Sequence, residues 1–256
     1  MPDLPGSLDG PIDRIAPSRR PDRRHVMYQT WSTLLFLHWE VSVETLRPLV
    51  PAELDLDTYN GRAYVGIVPF TMSGVRPVYL PSVPWLSSFH ETNVRTYVHR
   101  QGKDPGVWFF SLEAANPVAV ALARSLFCLP YHHARMRLQQ SEDGPLRYAS
   151  WRLWPGPIPA VSDIRARPLG NPAPATPGTF DHFVLERYYL YAKRGARLYR
   201  GHVHHRPYPA QSAEVYSVDE TLLSACGIER PAGPPIGHFS RGVHVEIFPL
   251  ETVVTS

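Results

Sequence analysis

The 256-residue sequence predicts a mostly β protein with a few short helices. Three observations support this fold class. The chain contains 28 prolines against 17 glycines, and proline interrupts helices but is tolerated in turns and at strand edges. Segments rich in β-branched and aromatic residues recur from Trp31 onward and are separated by turn-forming residues. A composition with 43% hydrophobic and 19% charged residues is typical of a globular domain with a sizeable core.

The first 25 residues differ in composition from the rest of the chain. They are rich in Pro, Gly, Asp and Arg and have almost no periodic apolar pattern, so they cannot bury enough surface to order themselves. We therefore predict a flexible Pro/Arg-rich tail over residues 1–25 and a single domain over residues 26–256. The remainder shows no composition break and no repeat, which agrees with one domain.

About nine segments have the composition and length of β-strands. Their regular spacing predicts one antiparallel β-barrel, because closing a sheet on itself removes exposed strand edges. The segments are residues 34–41, 63–75, 89–99, 107–114, 132–139, 146–154, 188–192, 198–205 and 242–249.

Three short helices are predicted between these strands. The first covers residues 43–49, and the second covers residues 117–127 with Asn116 as N-cap and a proline at its first position. The third covers residues 219–226 and ends at Gly227. The second helix carries one apolar stripe, formed by Val118, Leu122 and Leu126.

Residues 155–177 are dense in Pro, Gly, Ala and Arg, and this composition predicts a long loop. Loops of such length inside a compact domain are usually functional or mobile.

Charge and cysteine content argue against several classes of protein. The net charge is +3, and the 26 basic residues are scattered along the chain, so we predict no nucleic-acid partner. No apolar run approaches the roughly 20 residues that cross a bilayer, and no signal peptide is recognisable, which predicts a cytoplasmic protein without a membrane partner. Cys128 and Cys226 lack the spacing of a disulfide framework or a thiolate zinc site.

The segment 89–97 has the most informative polar pattern. Strand alternation separates two sets of side chains: Glu91, Asn93, Arg95 and Tyr97 on one face, and Thr92, Val94, Thr96 and Val98 on the other. The polar face is either a solvated outer surface or the lining of a cavity. In a cavity, Arg95 is suited to a bidentate contact with a carboxylate, and Glu91 is suited to acid or base catalysis.

A second polar group follows the helix 117–127. Tyr131 and His133 share one face of the predicted strand, whereas His132 lies on the other, so only one of the two histidines can face a cavity. The alternative is that Tyr131 and one histidine are core residues with satisfied hydrogen bonds.

His202 and His204 lie on the same face of a strand, a separation that suits two ligands of one metal ion. A metal site requires three or four converging groups, and a His-x-His pair alone is a weak signal. We therefore predict no metal and no cofactor.

Several segments together match the pattern of one known family, namely residues 36–39, 46–51, 65–70, 93–98, 108–112, 129–131, 186–188 and 238–240. On these segments the sequence resembles the uncharacterised YqjF-like family, also called DUF2071, over nearly the whole range 25–253. This family is placed in the acetoacetate decarboxylase-like superfamily, so the resemblance implies an antiparallel β-barrel with a central cavity and frequent formation of homo-oligomers.

The sequence departs from the decarboxylases at the catalytic lysines. Their adjacent lysine pair follows a proline after a helix, and the similar position here reads Pro130, Tyr131 and His132. The two lysines of this chain, Lys103 and Lys193, lie elsewhere. Imine formation with a ketone requires a primary amine, so the resemblance does not extend to Schiff-base decarboxylation.

Two functional hypotheses remain. In the first, the chain is an acid/base enzyme of the lyase, hydratase or isomerase type that acts on a small carbonyl or carboxylate compound. Its catalytic groups would be Glu91, Tyr131 and one of His132 and His133, with Arg95 and Asn93 binding the substrate. In the second, the chain binds or senses a small molecule in the cavity without chemistry.

Overall fold

A computed structural model describes residues 12–141, 144–157 and 159–253. Strands dominate this part of the chain, which confirms the mostly β prediction. All thirteen strands of the described residues belong to one sheet. They are β1 (Met27–Val41), β2 (Asp55–Leu56), β3 (Ala63–Pro77), β4 (Phe89–Arg100), β5 (Lys103–Ala114), β6 (Tyr131–Gln140), β7 (Leu146–Trp154), β8 (Val161–Pro168), β9 (Tyr189–Arg194), β10 (Arg197–His205), β11 (Ala210–Glu220), β12 (Ile236–Ile247) and β13 (Glu251–Val253).

The helices are short, and the three predicted ones are present. Asn116 caps the second predicted helix, since its side chain accepts hydrogen bonds from the amides of Val118 and Ala119, both at 3.0 Å. No helix within the described ranges is long and apolar enough to span a bilayer. The α-helices are α1 (Val43–Leu46), α2 (Pro84–Ser87), α3 (Pro117–Leu126), α4 (Phe180–Leu185) and α5 (Leu222–Ala225), and 3-10 turns cover Ala16–Ser18 and Arg47–Leu49.

The prediction of a continuous loop over residues 155–177 is wrong, because β8 lies within it. Ser162, Ile164 and Ala166 are buried along β8 and alternate with more exposed polar positions. The strand pairs with β7 on one side and with β11 on the other. Strand β11, which the sequence did not predict, also displaces the start of the third helix, because it continues to Glu220 before α5 begins.

The sheet closes on itself through its hydrogen bonding. A large ring follows the pairings β1–β3–β4–β5–β6–β7–β8–β11–β12 and returns to β1. A small ring follows β1–β3–β4–β5–β9–β10–β12 and also returns to β1. Most neighbours are antiparallel, but β5 pairs in parallel with β6 and with β9.

Five strands, namely β12, β1, β3, β4 and β5, belong to both rings and form a shared wall between them. On β1, Leu34 and Phe36 pack into the small ring, whereas Leu35 and Leu37 pack into the large ring. Both faces of the wall are therefore buried. This explains why the sequence of β1 contains an unbroken apolar run rather than an alternating pattern.

Residues 12–25, which belong to the predicted tail, lie against the domain. Arg14 pairs with the buried Asp57, Arg20 Nε lies 2.7 Å from Glu246 Oε2, and Pro17 is buried. The carbonyl of Pro17 lies 2.9 Å from His202 Nε2. Residues 1–11 lie outside the described part of the chain, and the division at residue 25 stays a prediction.

Candidate functional site

The small ring encloses a cavity of about 470 Å³. Its walls come from the seven strands of the small ring and from the first residue of β6, and helix α3 and the segment 80–87 border its mouth. Most of the lining side chains are aliphatic or aromatic. The charged side chains among the described lining residues are Glu91, Arg95 and Arg187.

The polar face of β4 lines this cavity. Glu91, Asn93 and Arg95 all contribute to it, and each is less than 10% exposed. The opposite face carries Val94, which packs in the core of the large ring. The interpretation of the polar face as a solvated outer surface is therefore wrong, because β4 lies in the shared wall and has no solvent face.

Glu91 is paired with Tyr131, the first residue of β6. The Tyr131 hydroxyl donates to Glu91 Oε2 at 2.7 Å. Burial raises the pKa of Glu91 to about 8, although hydrogen bonds from Tyr131 and Asn93 oppose this shift. Glu91 is therefore mainly a neutral carboxylic acid at pH 7. Burial and the adjacent Glu91 also raise the pKa of Tyr131 well above its ordinary value.

Arg95 is a buried cation without a carboxylate partner among the described residues. Its Nη2 donates to the carbonyl of Val184 at 3.1 Å, and its Nε is buried without a hydrogen-bond partner. Aromatic rings provide part of its environment, since the guanidinium carbon lies 5.6 Å from the centre of the Phe36 ring and 5.7 Å from that of Tyr97. Burial of such a charge is unfavourable unless an anion or hydrogen bonds compensate for it.

These polar groups form a row along β4. Glu91 and Arg95 are four residues apart, which separates their Cα atoms by about 13 Å at the usual rise of a strand. Asn93 lies between them, and its Oδ1 is buried without a hydrogen-bond partner. The row thus offers a proton donor at one end, an amide acceptor in the middle and a cation at the other end.

The two predicted catalytic histidines do not join this row. Neither His132 nor His133 is among the described residues that line the cavity. His132 is buried, and its Nδ1 lies 2.7 Å from the carbonyl oxygen of Pro155. Beyond Tyr131 the strand continues into the large ring, because β6 pairs with β5 only at Leu112–Ala114 and then with β7.

The histidines of β10 are also away from the cavity. His202 contacts the carbonyl of Pro17, and His204 is partly exposed. No group of three or more His, Cys, Asp or Glu side chains in the described ranges is arranged to hold a metal ion.

Lysine is absent from the described lining of the cavity. Lys193 Nζ lies 2.6 Å from Glu53 Oε1 and so forms an ion pair elsewhere, and Lys103 is exposed. The cavity therefore offers no amine for imine formation from these residues.

Arg187 is a lining residue that the sequence analysis did not select. Its Nη1 donates to Asp57 Oδ2 at 2.7 Å, and its guanidinium carbon lies 4.4 Å from the centre of the Phe183 ring. The only sequence signal was its position in the family segment 186–188. Arg187 differs from Arg95 in having a carboxylate partner, Asp57, which it shares with Arg14, although its Nη2 is buried without a hydrogen-bond partner.

Similarity to known proteins agrees with this fold. The family model DUF2071, described as an uncharacterized conserved protein, matches residues 28–244. The uncharacterized protein YqjF of Bacillus subtilis (strain 168) is 40% identical over 230 residues, which cover 90% of this chain and 93% of YqjF.

Several solved structures are similar to this chain in fold only. The enduracididine biosynthesis enzyme MppR, complexed with the condensation product of pyruvate and imidazole 4-carboxaldehyde, matches with a TM-score of 0.62 and 10% identity over 90% of both chains. Acetoacetate decarboxylase from Legionella pneumophila matches with a TM-score of 0.56 and 15% identity over 97% of both chains. These matches confirm the acetoacetate decarboxylase-like fold class, and the family match covers most of the sequence. The chain therefore belongs to the DUF2071 family of uncharacterised conserved proteins.

Proposed function

We propose that this protein binds a small carbonyl or carboxylate compound in the cavity of the small ring and transforms it by acid/base chemistry without a Schiff-base lysine. The observation that carries this proposal is the buried, unpaired Arg95, which shares one cavity with the neutral acid Glu91.

Arg95 is suited to hold the carboxylate of the compound. A buried guanidinium without a counter-ion has a large desolvation cost, and a bound carboxylate offsets that cost through short, charge-assisted hydrogen bonds. The free Nε of Arg95 is available for one of these bonds. Arg187 is less suited to this role, because its Nη1 already pairs with Asp57, although its Nη2 is also buried without a hydrogen-bond partner.

Glu91 and Tyr131 are suited to proton transfer. With its pKa raised to about 8, Glu91 holds a proton at pH 7 that it can donate to a carbonyl oxygen as negative charge develops there. The Tyr131 hydroxyl, which donates to Glu91 in the free protein, can turn its hydrogen bond to the same oxygen. Hydration and cyclisation use such donors on the carbonyl oxygen, with water or another group of the compound as the nucleophile. Enolisation also needs a base, and the minor fraction of Glu91 that is ionised at pH 7 takes the proton from the carbon while Tyr131 donates to the oxygen.

The fold neighbours give a supporting analogy. MppR has been observed with pyruvate, which is a 2-oxo acid, and with the condensation product of pyruvate and imidazole 4-carboxaldehyde. At 10 to 11% identity this likeness concerns the fold, so the support for chemistry in this chain comes from Arg95, Glu91 and Tyr131.

A second candidate function is binding or sensing without chemistry. Two points favour it: the histidines predicted to exchange protons lie outside the described cavity lining, and four residues of strand separate the Cα atoms of Glu91 and Arg95 by about 13 Å at the usual rise. A ligand that spans both groups could be held without being converted.

Binding and turnover distinguish these functions. We expect at least one acid from a panel of 2-oxo and 3-oxo acids to bind in isothermal titration calorimetry. Arg95→Gln should weaken that binding by about tenfold or more, because it removes a charged hydrogen bond. Arg135→Gln, which changes an exposed arginine on β6, is the control and should bind normally.

Deuterium exchange at the carbon beside the carbonyl, followed by NMR, reports enolisation. An active protein should lose this exchange in the Glu91→Gln variant while it retains binding. Binding without exchange or any other conversion would favour the sensing function, and Arg95→Gln binding as tightly as the unchanged protein would contradict both.

A further inference from the structure

We infer that the compound held by this cavity carries an extended hydrophobic group beside its carboxylate, so that the ligand is an amphiphilic acid larger than a three- or four-carbon oxo acid. The position of the carboxylate at Arg95 rests on the proposed function. The hydrophobic group rests on separate observations, which concern the walls, the mouth and the size of the cavity.

The walls between the polar row and the mouth are apolar. Phe70, Met72, Phe89, Phe109 and Leu112 are among the side chains that line them. Removing apolar surface from water is favourable in proportion to its area, so these walls bind hydrocarbon better than they bind a polar solute. Water in such a space lacks hydrogen-bond partners over most of its surroundings.

The mouth is apolar as well, although it is exposed. Leu80, Leu122 and Leu126 line the cavity and are 57%, 50% and 64% exposed. The two sides of the mouth are held together by Asn116, whose Nδ2 donates to the carbonyl of Trp85 at 3.1 Å. Apolar walls thus continue without a charged boundary into an apolar rim, which is the surface that a hydrophobic chain would follow into the cavity.

The size of the cavity also favours a ligand with a hydrophobic group. Its volume of about 470 Å³ falls within the range of sites that take drug-sized ligands. A three- or four-carbon oxo acid bound at Arg95 would leave most of the apolar wall in contact with water or with empty space. A ligand that also fills the space toward Leu122 and Leu126 removes this unfavourable contact.

A series of straight-chain carboxylates tests the inference on the full-length protein. Calorimetric titration from butanoate to dodecanoate should show affinity that rises by about fourfold per added methylene group, and then levels off when the cavity is full. Affinity that does not change with chain length would overturn the inference, even if every acid binds.

Rim variants locate the hydrocarbon. The double variant Leu122→Gln with Leu126→Gln should weaken dodecanoate binding by about tenfold or more while butanoate binding stays the same, since only the longer chain reaches the rim. Val118→Gln is the matched control, because Val118 is 43% exposed on the same stripe of α3 but does not line the cavity. If the double variant changes the oligomeric state and leaves the chain-length dependence intact, the rim is a contact between copies of the chain instead.

A matched series of primary alcohols separates this inference from the proposed function. If acids and alcohols both gain affinity with length but Arg95→Gln affects neither, the hydrophobic group is supported and the carboxylate contact is not. If acids bind through Arg95 without any effect of length, the proposed function stands and the inference fails.

Discussion

At the scale of single residues, the cavity combines an acid that is neutral with a cation that is unpaired. Both states follow from burial in the shared wall, where water is excluded from Glu91 and Arg95. In solvent the same two side chains would be fully ionised and hydrated. Glu91 lies beside another hydrogen-bond donor, Tyr131, whereas Arg95 lies beside aromatic rings and a backbone carbonyl. Of these two groups, Arg95 carries a charge and has no carboxylate partner among the described residues.

The raised pKa of Glu91 predicts a specific dependence of stability on pH. The folded protein keeps a proton that the unfolded chain releases between the ordinary value of 4.5 and about 8. The free energy of unfolding should therefore fall as the pH rises through this window and level off above it. Glu91→Gln removes this contribution, so its stability relative to the unchanged protein should rise from pH 5 to pH 9 by an amount on the order of a few kcal/mol.

Urea denaturation at several pH values measures this difference. Glu214→Gln is the control. Glu214 on β11 is exposed, and its carboxylate pairs with Arg167 on β8. Surface changes of this kind usually alter the free energy of unfolding by less than about 0.5 kcal/mol. A constant difference between the Glu91→Gln variant and the unchanged protein across the pH range would mean that Glu91 is ionised when folded.

The sequence predicted that Glu91, Asn93 and Arg95 share one face of a strand, but it did not predict that Glu91 is protonated or that Arg95 lacks a carboxylate partner. Alternation on β4 placed Glu91, Asn93 and Arg95 on one face, since period-two geometry is a local property. The absence of a partner for Arg95 depends on residues far away in the chain, such as Asp57, which pairs with Arg187 instead. The same limit applies to His133, which shares a face with Tyr131 in the strand but is not among the described residues that line the cavity.

At the scale of elements, α3 and α2 border the mouth of the cavity, and Asn116 contacts both of them. The side chain of Asn116 caps α3 with its oxygen and holds α2 with its nitrogen, which donates to the carbonyl of Trp85. Asn116→Ala should lower the free energy of unfolding by about 1 kcal/mol, as loss of an N-cap usually does, and should speed amide hydrogen exchange in both elements.

Asn116→Asp separates the two roles of this residue. The carboxylate still caps α3 but cannot donate to Trp85, so stability should be retained while exchange increases in the α2 segment alone. If the amides of α2 exchange at the same rate in the Asn116→Ala variant and in the unchanged protein, contacts other than those of Asn116 hold the two sides of the mouth together.

Elements with local signals were predictable, and those without were not. Asn116 and Pro117 mark the start of α3 through capping chemistry, which needs no knowledge of the fold. Strand β8 was missed because Arg165 and Arg167 on its exposed face, together with the neighbouring prolines, give it the composition of a loop. Strand β8 lies between β7 and β11 because the large ring closes there, and the sequence of one segment does not show which strands it will pair with.

At the scale of the whole molecule, closure of the small ring depends on the parallel contact between β5 and β9. Gly106 pairs with Tyr189 there, and a Cβ at position 106 would lie 2.7 Å from the carbonyl oxygen of Tyr189. Gly106→Ala should therefore push the two strands apart and lower the free energy of unfolding by about 1 to 3 kcal/mol. It should also weaken ligand binding, because Tyr189 and the adjacent Leu190 line the cavity.

Gly233→Ala is the matched control for Gly106→Ala. Gly233 is exposed, and a Cβ there would meet no atom within 4 Å. Its effect on stability should be within about 0.5 kcal/mol. Similar urea midpoints for the Gly106→Ala variant and the control would show that the two strands accommodate a methyl group and that the small ring does not need the close approach.

The shared wall also affects how the chain can be made in the cell. Strand β1 needs β12 beside it, yet β12 follows about 200 residues later. At typical translation rates the ribosome takes about 10 to 40 seconds to produce that stretch. During this time β12 is missing, so neither ring can close and both faces of the apolar run of β1 stay uncovered. The nascent chain is therefore prone to aggregation until synthesis is nearly finished. Slower, cooler expression with chaperones available should therefore increase the yield of folded protein.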